Sequence, residues 1–330
     1  MKWLERVDAF HQRHRWTAVP FAVNKRFGEH DGSRLAATVS YYSFFSVFPL
    51  LLVFVTILGL VLQDNDDLRR DLLDSALAQI PLIGTQLTAE QSPLEGNVLA
   101  LVIGLATAIW AGMAAIGALQ QGLDEISDVP VYGRPNFAMK RLRSVVFLAA
   151  LAVGLVGSVT LANLATLFGT GVLGGALGLV GTFIVNTGLV LAMFTVLPAQ
   201  RRPVRELLPG AVTAGVGLVL LQLLGSFVVR RFIAGANDTY GTFAAVIALL
   251  SWFHLVSRLL LLSAQVNEVR ASNLWPRRLV GSSPMTEGDR RAMLLDVQRV
   301  QRDPRVGYAV SVAGTVGTDR QPLGDEAPQR

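Results

Sequence analysis

The chain alternates long charge-free apolar runs with short polar connections. Leu35–Gln63 is the first such run, and Gly96–Leu123 is the second. Between Ser144 and Gln200 there are 57 residues without one Asp, Glu, Lys or Arg. Leu207–Val229 follows, and the last run starts near Thr242 and is broken by a single charge, Arg258. A bilayer core takes about 20 apolar residues per helix. The long gap therefore holds two spans, split at Gly169-Thr170-Gly171 and Gly174-Gly175, because glycine clusters mark turns. The pattern predicts spans at 36–62, 98–119, 144–168, 176–197, 207–229 and 242–262. A membrane barrel would instead show ten-residue stretches of alternating polarity. The fold class expected is all-α: a polytopic membrane protein with six transmembrane helices. The first run begins too late and is too long for a secretory signal peptide.

Three regions surround this pattern. Residues 1–34 form a basic segment in which Leu4, Val7, Phe10, Trp16, Val19 and Val23 alternate with basic residues. That spacing predicts an amphipathic helix on the membrane surface, with a break at Pro20. Residues 35–272 carry the six spans, plus an outer amphipathic helix near 68–87. Residues 273–330 are polar, rich in Pro and Gly, and expected to be largely disordered, with one surface helix near Arg290–Arg302.

Composition and charge then fix orientation. Hydrophobic residues make up 52% of the 330, and charged ones only 16%, against about 25% in soluble domains. The net charge of +5 would suggest nucleic acid in a soluble protein. Here it resolves into topology. Of the 29 Lys and Arg, 24 fall on one side of the predicted spans, 4 on the other and one inside. Positive loops stay in the cytoplasm, so both termini are expected there. Anionic inner-leaflet lipid is the partner that the basic segments fit; nucleic acid is not. The chain has no cysteine, which excludes disulfides and thiolate chemistry.

Polar groups inside a bilayer are costly and invite a functional reading. On helix 1, Tyr41, Tyr42, Ser43 and Ser46 precede Pro49, and the two serines share a face. The proline removes one backbone hydrogen bond, so a kinked helix 1 with a polar side is expected. Asn163, Asn186 and Gln222 are uncharged polar residues in helices 3, 4 and 5. Their commoner role is hydrogen bonding between helices. Arg258 is the one charge within a predicted span, four residues after His254. It reads either as a snorkelling side chain paired with Asp124 or Glu125, or as a hook for an anionic group. Gly104, Ala108 and Gly112 recur every four residues, a spacing that lets helices approach closely, within the bundle or in a homodimer.

The entry to helix 1 also resembles a known family. Ala36 and Ala37, then Tyr41-Tyr42-Ser43, then Ser46 and Pro49, then leucines, are similar to the signature of the YihY/BrkB family of bacterial inner-membrane proteins. Tyr240-Gly241, Trp252 and the Ala264–Asn267 stretch are similar to its last helix. Where that family usually has Gly-Ala-Glu-Leu-Asn, this chain has Ser263-Ala264-Gln265-Val266-Asn267. The resemblance covers roughly residues 30–272. It implies a multi-pass protein of the bacterial inner membrane and suggests lipid or envelope-glycolipid transport.

Members have also carried a ribonuclease BN label, which the residues do not support. A zinc nuclease needs several His and Asp converging on its metals. The four histidines are His11, His14, His30 and His254, with no clustered motif, so no metal site and no catalytic residue is expected. No phosphate-binding glycine loop with lysine occurs, and no cofactor is expected. The expected function is therefore a transporter or flippase of lipids or envelope amphiphiles, working through a polar crevice. The alternatives are a non-transporting scaffold for an envelope complex and a carrier of a small soluble solute. The latter normally uses intramembrane acids, which the predicted spans lack.

Overall fold

The computed structural model describes residues 2–61, 98–167, 172–228, 238–279 and 284–306. The long helices follow from the apolar runs and their polar ends, and no strand occurs among the described residues. Helix α1 is Lys2–Arg13, α2 Arg15–Glu29, α3 Gly32–Val61, α4 Val98–Ile126 and α5 Phe137–Leu167. Then come α6 Val172–Val196, α7 Val204–Val228, α8 Asp238–Ala271 and α9 Glu287–Arg299. Stretches of α4, α6, α7 and α8 are long and apolar enough to cross a membrane: Val102–Ile126, Gly174–Val196, Val204–Gly225 and Val246–Ala271. The expected outer helix near 68–87 lies outside the described residues.

The N-terminal segment breaks at His14, not at Pro20. His14 has extended backbone angles of φ −112 and ψ 115, and the Thr17 hydroxyl donates to its carbonyl at 2.9 Å. Pro20 sits inside α2. The break is thus set by the extended residue and its hydroxyl partner, and the proline's missing N–H is absorbed within the helix.

Helices α3 to α8 form a ring. Each packs on the next in sequence, and α8 closes the ring against α3 while also touching α4. Helix α2 packs across one end, against α8 and α3. The core lies at that end: Leu35 and Ala36 of α3, Leu119 and Leu123 of α4, Met193 and Phe194 of α6, Leu207 and Ala211 of α7, and Leu261 of α8. A smaller cluster of Ala22, Val23, Val269 and Leu274 joins α2 to the end of α8, with Leu295 of α9 against it.

Toward the opposite end the helices bury little. From Val102 to Trp110 of α4, only Gly104 and Ala108 are buried. Among the described side chains, α7 has none buried beyond Gly215, and α8 none before Ser257. One close approach pins the α2 end: a Cβ on Gly210 of α7 would lie 2.2 Å from the Ser263 carbonyl oxygen of α8.

Candidate functional site

The helices run past the charge-free apolar runs at the α2 end, and the polar residues there hydrogen-bond one another. Helix α4 ends in a Schellman turn. The Val129 N–H donates to the Asp124 carbonyl at 3.0 Å and the Asp128 N–H to that of Glu125 at 3.2 Å. Such a turn needs a left-handed residue, usually glycine. Here Asp128 takes that conformation, with φ 52, at a modest steric cost. What the sequence gains is a carboxylate placed under the bundle.

Asp128 is the hub of a buried network. Its Oδ1 accepts from Arg26 at 2.7 Å and lies 2.8 Å from His30 Nε2. His30 Nδ1 lies 3.1 Å from Gln265 Oε1, which links α2 to α8. Arg26, 0% exposed, also donates to Asp296 of α9 at 2.8 Å and to Glu29 at 3.3 Å. A buried guanidinium persists only when acids surround it. Burial alone would lower the Arg26 pKa, but Asp128, Asp296 and Glu29 outweigh it and raise it. Burial alone would raise that of Asp128, but the His30 hydrogen bond and the Arg26 charge hold it below the usual carboxylate range.

His30, Asp128 and Asp296 each bring one ligand atom within 4.8 Å of the others, a spacing that suits a metal ion. Arg26 donates to both of those acids, so the positive charge they need is already supplied by the guanidinium.

A second set ties the α6–α7 connection to the bundle. Asp124 accepts from the Ala199 N–H at 2.7 Å, and Gln120 donates to the Leu197 carbonyl at 3.1 Å. Arg143 donates to the Pro198 carbonyl at 2.8 Å. Asn267 accepts from the Gly210 N–H at 2.7 Å, and Arg202 donates to both Glu268 oxygens at 2.8 and 2.9 Å. Pro198, Arg202, Asn267 and Glu268 of this set line a cavity of about 20 Å³, with Ser127 and Gln200 among others. That is room for about one water molecule.

The residues singled out from sequence are mostly elsewhere. Tyr41 and Tyr42 are exposed, Ser43 and Pro49 half-buried, and Ser46 buried. The Ser46 hydroxyl donates to the Ser43 carbonyl at 2.7 Å, so it serves the backbone of α3. Asn186 and Gln222 do meet, at 3.5 Å across α6 and α7. His254 is half-buried and Arg258 exposed. The Arg258 guanidinium lies over the Phe27 ring, 6.0 Å from its centre. Asp124 and Glu125 are engaged otherwise, Glu125 with Arg134 at 2.7 Å. Asn163 lies in α5, where its side chain is outside the described residues. Sequence reasoning gave no role to Arg26, Asp128, Arg202 or Glu268. For the last three the signal was position, since each sits just past the end of an apolar run.

The C-terminal helix completes the collar. Thr286 and Asp289 form a capping box at the start of α9. Asp289 accepts from Arg277 Nε at 2.7 Å and Lys25 Nζ at 3.2 Å. Burial would raise its pKa, but hydrogen bonds from Thr286 and Arg277 hold it well below the usual carboxylate range. A carboxylate depressed in the folded state contributes stability above its unfolded pKa, near 4, and that stability is lost as pH falls through the folded value. The purified chain should therefore keep a constant melting temperature from neutral pH to about 5 and lose stability below about 4. Asp289→Asn should lower the neutral-pH value and flatten the acid limb. An acid limb of unchanged size in that variant would remove Asp289 as its source.

The comparisons agree with the membrane architecture. A family model described as "Virulence factor BrkB" matches residues 23–281. The "Putative ribonuclease-like protein YfkH" of Bacillus subtilis (strain 168) is 27% identical over 258 residues, covering 73% of this chain and 91% of that protein. The "Inner membrane protein YhjD" of Escherichia coli (strain K12) is 22% identical over 263 residues, covering 73% and 77%. No solved structure matches.

Proposed function

The chain belongs to the virulence factor BrkB family and is a bacterial inner-membrane protein, and from that premise we propose that it moves lipids or lipid-like envelope amphiphiles across the membrane. One observation carries this reading. The ring of α3 to α8 is packed and cross-linked at the α2 end, while toward the other end few of the described side chains are buried. With the basic end in the cytoplasm, both termini face inward and the bundle is closed inside and loose outside. Apolar tails can then enter between helices, and polar groups such as Asn186 and Gln222 are available to a head group. The charged collar is the inner seal. It is built from ion pairs and side-chain hydrogen bonds, which can be exchanged for hydration when helices part.

The ribonuclease-like name belongs to the Bacillus relative. The one His-and-acid cluster among the described residues, His30, Asp128 and Asp296, has both of its acids paired with Arg26.

A reconstituted flip assay tests the proposal. Vesicles containing the purified chain should move labelled phospholipid between leaflets faster than protein-free vesicles, and Gln222→Leu should slow that movement severalfold. Arg258→Ala and Ser46→Ala should be near wild type, because Arg258 points out over Phe27 and Ser46 serves its own helix. No movement above protein-free vesicles under any ion gradient would sink the idea.

A second reading has one observation in its favour. The buried acids Asp124 and Glu268 fall within the candidate spans Val102–Ile126 and Val246–Ala271, although the shorter spans drawn from sequence contained no acid. Intramembrane acids are what an ion-coupled carrier of a soluble solute uses. Gradient-dependent lipid movement abolished by Glu268→Gln would join the two readings.

A further inference from the structure

Helix α9 is more than a terminal decoration, because its acids fill a set of donors that belongs to the rest of the chain. Asp289 is met by Arg277 Nε at 2.7 Å, Lys25 Nζ at 3.2 Å and the Arg278 N–H at 3.2 Å. Asp296 takes Arg26 at 2.8 Å. The two guanidiniums are neighbours, since Glu29 accepts from both, from Arg277 at 2.6 Å and from Arg26 at 3.3 Å. Arg277 is 3% exposed and Arg26 0%. Each still keeps a buried N–H with no acceptor, Arg277 Nη1 and Arg26 Nε. With Asp128 also on Arg26 at 2.7 Å, four carboxylates meet this basic cluster and still leave these two N–H groups open. Lys25, Arg26 and Arg277 lie inside the matched family region, residues 23–281, whereas Asp289 and Asp296 lie beyond it.

We propose that Lys25, Arg26 and Arg277 form an anion site for a phosphate monoester, as a lipid headgroup or as free phosphate, and that α9 occupies it as a built-in competitor. A phosphate offers three or more acceptor oxygens to guanidinium and ammonium donors. It can therefore replace one aspartate and also satisfy a donor that the aspartates leave open. Lys25, with 28% of its side chain exposed, marks the entry. When the anion binds, α9 leaves. The inference does not depend on whether the protein transports anything.

The test uses the full chain in lipid nanodiscs. The protein has no cysteine, so Met293→Cys, on the exposed side of α9, takes a single spin label. The mobile fraction of the label is compared in phosphatidylcholine alone and with phosphatidic acid added. Inorganic phosphate, and sodium chloride of matched ionic strength, are added to phosphatidylcholine discs as further arms. The expected result is a severalfold rise with phosphatidic acid and little change with chloride. A rise with inorganic phosphate too identifies free phosphate as a sufficient ligand, and a rise with the lipid only identifies the headgroup. Lys25→Gln should lose most of the rise that phosphatidic acid produces, measured against its own level in phosphatidylcholine. No response to either phosphate source, a response matched by chloride, or a full response in Lys25→Gln would each overturn the proposal.

Discussion

Asp128→Asn should destabilise the chain by about 3–5 kcal/mol, because it leaves a buried guanidinium short of its charge partner. Asparagine keeps the shape and tolerates the left-handed turn that Asp128 occupies, so the loss isolates the charge. Arg26 would retain Asp296 and Glu29, both partly exposed at 39% and 29%, in place of a carboxylate that is 1% exposed. Thermal unfolding in a mild detergent reads the effect as a clear fall in melting temperature. The double variant Arg26→Met with Asp128→Asn removes both charges and should recover much of the loss, since exchanging a buried pair for neutral groups is often close to neutral. A single variant as stable as wild type would show that the collar is not what holds α2 to α4.

Gly210→Ala should cost about 1–3 kcal/mol or more from overpacking. The added methyl would sit 2.2 Å from the Ser263 backbone oxygen and 2.6 Å from the Asn267 amide atoms. A backbone oxygen cannot rotate away, so α7 and α8 must separate, and the Asn267 bond to the Gly210 N–H lengthens with them. Gly188→Ala is the matched control, because nothing lies within 4 Å of a Cβ there. Alanine is favoured over glycine within a helix by about 1 kcal/mol, so that control should be neutral or stabilising. Equal unfolding temperatures for the two variants would refute the close contact.

The apolar runs were legible because charge is excluded from a bilayer, and the absence of charge therefore marks a helix interior. The ends were not legible in the same way. Spans drawn to 119 and 262 stop where polar residues begin, yet α4 continues to Ile126 and α8 to Ala271. Asp124 and Glu268 are accommodated there by partners 75 and 66 positions away. Periodicity carries no information about such partners. The same holds for Arg26, whose carboxylates lie 102 and 270 positions along the chain. Arg258 drew attention because it interrupts an apolar run. Arg26 did not, because it stands in a basic segment that reads as loose surface. The Ala264–Asn267 stretch was noticed through resemblance alone. Its physical content appeared only when Gln265 met His30 and Asn267 met Gly210.

The seam between α3 and α4 has a mechanical consequence. Between Val102 and Trp110, α4 buries only Gly104 and Ala108, and the buried described positions of α3 after Val39 are Ser40 and Ser46, all small. Interlocked side chains resist sliding, since each must change rotamer before its neighbour can pass. A seam of small residues has little to unlock, and the serine hydroxyls are bonded to their own helix, so they travel with it. On the opposite side of α8, α7 is fastened by the Gly210 contact and the Asn267 bond. The bundle thus has small buried residues along one flank and a rivet on the other, where a backbone oxygen meets Gly210 and no rotamer change can loosen it.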